Sequence, residues 1–358
     1  MNNNEQSIEN KKYPGPVAAG VFFSLTAIFL IYGAELLPFK NNYLKSGVGE
    51  VLFVLVPPLI FLWIGKYNIK DTLKLNKTRP INYLIIVFLV IFGLPVIGVL
   101  NAIALGIIRL IFGKNLPIVQ FHIPDVPALL ITILIAGVFA GVCEEILFRG
   151  LIIKGYAKLG VVGSIAISSI LFGILHRDIQ KAVSTMLLGA LFGFIVYRTK
   201  SVYAGIAAHF TNNTIAVLLT YGSGKMLERM DNMGAQQMES FDLSQIPRIS
   251  LIIVAVFYGV LFLGCLVGFI GLIHAFLKTT EGNFTAPSHL TQLINSQAEN
   301  QNPQEGCVNE KKGLSAGAII SLLPGVIFIL LVFIGQILEL MNTKSGLLYT
   351  LLRNLGLD

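Results

Sequence analysis

Long apolar runs constrain this chain more than any other feature. A helix needs about 20 apolar residues to cross the hydrocarbon core of a bilayer. Runs of that kind recur from end to end, at residues 16–37, 48–65, 83–105, 126–158, 161–176, 181–197, 202–221, 249–277 and 315–340. The runs at 161–176 and 181–197 are short, and 107–112, interrupted by Arg109, either extends the third helix or lies in the interface. The expected fold class is therefore all-α, a polytopic transmembrane helix bundle with about eight to ten spans, nine preferred. Composition agrees: 54% of the 358 residues are hydrophobic and only 13% charged, against about a quarter charged in soluble domains. Mean hydropathy is +0.76.

The runs set the organisation. A polar N-terminal tail (1–15) precedes N-terminal transmembrane helices (16–113), a core block (126–221) and a polar loop (222–248). A further span (249–277), an Asn- and Gln-rich linker (278–313) and a last span with its tail (314–358) complete the chain. The tail lacks a small-residue cleavage site beside the first run, so that run reads as a retained span.

The net charge of +7 does not imply nucleic acid. Its lysines and arginines, such as Lys66, Lys70, Lys74, Lys77 and Arg79, sit between apolar runs, where basic residues face anionic headgroups. The expected partner is the lipid bilayer, and nucleic acid is excluded. A slight Lys/Arg bias favours a cytoplasmic N-terminus, which puts the turns near Leu159 and Lys200 on the cytoplasmic side. Three cysteines, Cys143, Cys265 and Cys307, form no CxxC pair, which argues against a disulfide framework or a cysteine-rich metal site.

Ionisable groups inside a span are costly and by default mark a functional site or a buried pair. Here they concentrate between the fourth and seventh spans: Glu144, Glu145 and Arg149, then His176, then His209 with Asn213; Glu35 and Glu50 read as lying close to span ends. Glu145 and Arg149 are spaced i,i+4 and share a helix face. Glu144 is rotated by about 100° from Glu145, which leaves one carboxylate free for other work. His209 and Asn213 also share a face. Counting from the shared turn, Glu144 lies at ~21 Å and His176 at ~24 Å along their helices, with His209 at roughly 14 Å from the next turn on that side. The groups can therefore converge.

Two chemistries suit such a group. A carboxylate and an imidazole can hold a water and take its proton, while a second His and an Asn stabilise an oxyanion. Alternatively Glu144, His176 and His209 are three ligands of a divalent metal such as zinc. The spacing leaves both open; the absence of His-Glu-x-x-His argues mildly against metal.

The three motifs, Glu144-Glu145-(3)-Arg149, Phe172-(3)-His176 and His209-(3)-Asn213, together resemble the CPBP family, which comprises type II CAAX prenyl proteases and bacteriocin-processing and self-immunity proteins. The resemblance covers about residues 126–221. It implies an intramembrane endopeptidase acting on membrane-associated proteins or peptides. It further implies that Glu144 and His176 activate water, that His209 and Asn213 hold the oxyanion, and that Glu145, Arg149 and Phe172 give structural support. It favours a bacterial cytoplasmic membrane and leaves the metal open. Two other classes compete: a proton-coupled transporter, which predicts repeat symmetry that the chain does not display, and a non-catalytic immunity or scaffold protein. His122, His274 and His289 belong to no motif. Nothing in the pattern specifies a cofactor or an oligomeric state.

Overall fold

The computed structural model describes residues 12–33, 36–117, 123–232, 247–283, 313–342 and 347–356. Glu35, His122, His289 and Cys307 lie outside them, as does most of the polar linker. Among the described residues nine helices are long and apolar enough to cross a membrane: α1 Pro16–Gly33, α2 Asn42–Ile64, α3 Pro80–Phe112, α4 Val126–Gly155, α5 Ala157–Leu175, α6 Ala182–Thr199, α7 Val202–Met230, α8 Arg248–Thr279 and α9 Ala316–Leu340. The described residues contain no strand. The expected all-α polytopic bundle is what the chain forms.

Helix ends follow local chemistry. The side chain of Asn41 accepts from the N–H groups of Tyr43 and Leu44, so α2 begins two turns before its apolar run. Asp125 caps α4 by accepting from Ala128 N at 2.8 Å. The apolar stretch after residue 105 extends α3, which stops where Gly113 turns left-handed at φ 74° and returns its N–H to Arg109 O. The helix of α7 outlasts its apolar stretch and runs to Asn232. Strong helix formers and a Lys225–Glu228 ion pair one turn apart carry it past residue 221.

Two large clusters fill most of the interior among the described residues. Phe22, Phe23, Leu147, Phe148 and Phe172 join α1, α2, α4 and α5, while Ile86, Leu89, Phe192 and Ile195 join α3 and α6 to α7 and α8. The helix α7 crosses α4 between them, and α8 packs mainly on α3, with its apolar flank outward. Where lipid replaces water, apolar exposure costs nothing, and packing relies on small residues and interhelical hydrogen bonds.

The contact of α9 with α1 shows this. Pro324 interrupts the backbone ladder of α9, and the buried Ser24 hydroxyl fills in beside it. It donates to Ser321 O at 2.8 Å and accepts from Gly325 N at 3.0 Å. The last span is thereby pinned against the first.

Candidate active site

α4 is built unevenly around its two glutamates. Wide π-type turns occupy Ile133–Phe139 and Ile146–Ile152, leaving Ala140–Glu145 as regular α-helix between them. Such insertions are rare and gather at functional sites.

Glu145 is fully buried, and one of its oxygens holds two partners. Oε1 lies 3.0 Å from Arg149 Nη1, one turn along α4, and 3.1 Å from His209 Nδ1 on α7. The first motif is thus tied to the third. Small residues let α7 approach this far. A Cβ added to Gly205 would stand 2.5 Å from both Glu145 Oε2 and Val196 Cγ2. We expect Gly205→Ala to cost ~1–3 kcal/mol by overpacking, read as a lower melting temperature in detergent together with impaired function. A variant as stable as the parent would show that the approach has slack.

The second motif enters through its phenylalanine. The buried Phe172 ring lies 4.8 Å from the His176 ring, 5.8 Å from His209 and 5.2 Å from Phe148. The Arg149 guanidinium sits over the Phe172 ring at 4.4 Å from its centroid and donates through Nη2 to Gly189 O at 3.2 Å. A buried guanidinium is thereby balanced by one carboxylate, one carbonyl and an aromatic face.

The remaining groups surround this triad. His176 closes α5, is exposed, and places Nδ1 2.9 Å from Phe172 O, leaving Nε2 free. Asn213 donates Nδ2 to Ala136 O at 2.7 Å and accepts from Asn212 Nδ2 at 2.8 Å. A groove of about 450 Å³ between α3 and α7 is lined by Leu94, Pro95 and Asn212 among others and so reaches this amide pair. Glu144 is half-buried, and its Oε2 is buried without a hydrogen-bond partner. It interacts electrostatically with Glu50, Cys143 and Arg149. Below the site, outside the spans, Lys74 donates to Arg149 O at 2.8 Å. Burial, and then the nearby Lys154 ammonium, hold the Lys74 amine down at about 8.

Three contributors escaped the reading of the sequence. Glu50 seemed a residue near a span end, yet lies within α2, and its Oε2 is likewise buried without a partner. Phe192, 5.3 Å from the His209 ring, resembles any core aromatic. Gly205 could have been found from the run of small residues Ala204, Gly205, Ala207 and Ala208 on one helix. Among the described residues no three His, Cys, Asp or Glu side chains are grouped to hold a metal ion. His209 turns Nδ1 to Glu145, which leaves Nε2 as the ring nitrogen available to the site.

Fold and site define a membrane-embedded protein whose polar centre is built on α4, α5 and α7. Residues 126–215 match the family described as "Type II CAAX prenyl endopeptidase Rce1-like", which supports the resemblance carried by the three motifs. The chain is also 26% identical over 210 residues to the Bacillus subtilis strain 168 protein named "Putative membrane peptidase YdiL", covering 55% of this chain and 83% of that one. No solved structure matches the chain. It is a CAAX-protease-like membrane peptidase by these likenesses.

Proposed function

We propose that the chain is an intramembrane endopeptidase of the bacterial cytoplasmic membrane, hydrolysing peptide bonds of membrane-associated proteins or peptides with water that Glu144 and His176 activate. The observation that carries this reading is the shared Glu145 oxygen, which ties Arg149 to His209 while Phe172 touches both histidines. A site assembled this tightly from three helices holds its groups for directed chemistry.

Glu144 is the proton acceptor. Its Oε2 has no other hydrogen-bond partner, and no direct contact with His176 is needed, because one water spans two groups that do not touch. Glu144 takes the water proton as the oxygen attacks the peptide carbonyl carbon. The oxyanion forms against His209 and Asn213. With Nδ1 bound to Glu145, His209 presents Nε2, which donates in the imidazolium form. Asn213 has a second amide hydrogen beyond the one given to Ala136 O. The proton on Glu144 then passes to the leaving nitrogen as the C–N bond breaks. Bacteriocin processing or self-immunity would place such chemistry in a cell.

The test is cleavage of a fluorogenic peptide library by purified protein in detergent, with His176→Ala alongside. Cleavage by the wild type and a fall of about 100-fold or more in the variant, with the same melting temperature, are expected. Equal cleavage by both would remove His176 from the mechanism. No cleavage, with equal function of both proteins in cells, would leave a binding protein.

A further inference from the structure

One side chain outside the family-matched core reaches toward it from the last span, α9. We infer that Gln336 of α9 is a positioning residue that clamps the turn carrying His176. The inference rests, for its catalytic half, on the endopeptidase reading above.

His176 ends α5, and the chain turns sharply there. Arg177 takes a left-handed φ of 55°, a conformation that non-glycine residues adopt only when their surroundings hold them. Two glutamine side chains supply the hold. Gln336 accepts from Ile179 N at 2.9 Å and donates to Arg177 O at 2.6 Å. Its amide thus bridges the two sides of the turn, as a neighbouring strand would. From the other direction Gln180, within the turn, accepts from Leu116 N at 3.0 Å and donates to Leu116 O at 3.2 Å. Lys114, beside that anchor, hydrogen-bonds Asn342 at the end of α9. The turn, the segment after α3 and the foot of α9 therefore close into one polar ring.

This arrangement has a reason. His176 is exposed and its side chain hydrogen-bonds only to its own helix, at Phe172 O, among the described residues, so the backbone must place its ring. A histidine at a helix end without such anchoring would fray with the last turn. Fixed reacting groups contribute strongly to rate, and a displacement of about 1 Å can cost on the order of 100-fold. α9 is in turn pinned to α1 through Ser24. A helix outside residues 126–215 thus reaches the site through two backbone bonds.

The experiment compares wild type, Gln336→Leu and Gln180→Leu by amide hydrogen exchange and by cleavage kinetics with pH profile. The second variant loosens the turn from its other side and leaves the packing of α9 untouched. Faster exchange confined to residues 174–181, with kcat down by about 10- to 100-fold and KM unchanged, is the expected result in both. Faster exchange with unchanged kcat would overturn the positioning role, and unchanged exchange in both variants would overturn the clamp itself. Global melting of Gln336→Leu alone transfers the decision to Gln180→Leu. An inactive wild type whose variants still exchange faster would sink the endopeptidase reading, and with it the catalytic half of the inference, while the anchor stood.

Discussion

Glu144→Gln is expected to lower peptide cleavage by about 1,000-fold while leaving the protein folded, because the amide keeps the shape of the side chain and cannot take a proton. General bases contribute typically 10²–10⁴-fold. Glu144 interacts electrostatically with Glu50, Cys143 and Arg149. Stability should not fall, because the amide matches the carboxyl group in size and the buried Oε2 has no hydrogen bond to lose. Initial rates on a peptide that the wild type cleaves, with melting temperatures in the same detergent, check both halves. A variant retaining a tenth of the rate would move the proton acceptor elsewhere, and Glu50 would be the first place to look.

Glu145→Leu should fail differently, through stability first. It leaves the buried Arg149 guanidinium without its carboxylate and His209 without the acceptor on Nδ1. Breaking a buried pair from one side costs ~3–5 kcal/mol, whereas replacing both partners by apolar groups is often neutral. The double variant Glu145→Leu/Arg149→Met should therefore recover most of the lost melting temperature. It should remain inactive, since nothing then orients the His209 ring. Recovery of activity along with stability would mean that Glu145 acts only through charge balance. Loss of activity without loss of stability in the single variant would mean that the ion pair contributes little to the fold.

The contrast between these two glutamates was partly legible in the chain. Spacing alone paired Glu145 with Arg149, because i,i+4 residues share a helix face whatever surrounds them. The same rule separated Glu144 by about 100° and left it for chemistry. Spacing could not reveal that His209 binds the same Glu145 oxygen, because that contact joins residues 64 apart. Nor could spacing reveal that His176 Nδ1 turns back to Phe172 O within its own helix. Glu50 was missed for a local reason. The stretch from Asn42 to Ser46 is too polar to count as membrane-spanning, so the apolar run seemed to begin at residue 48. The Asn41 cap starts the helix earlier, and Glu50 falls inside it.

The sequence by itself determined the lipid-embedded helical class and, through the three motifs, the helices on which the site is built. Both follow from the near neighbours of each residue: apolar length measured against bilayer thickness, and the angular period of the α-helix. Tertiary structure decided what those neighbours cannot. It chose which imidazole nitrogen meets Glu145, brought Glu50 within electrostatic reach of Glu144, and set Gln336 of the last span against the turn that carries His176. These contacts depend on where small residues let helices approach, and that is settled only when all the helices pack at once.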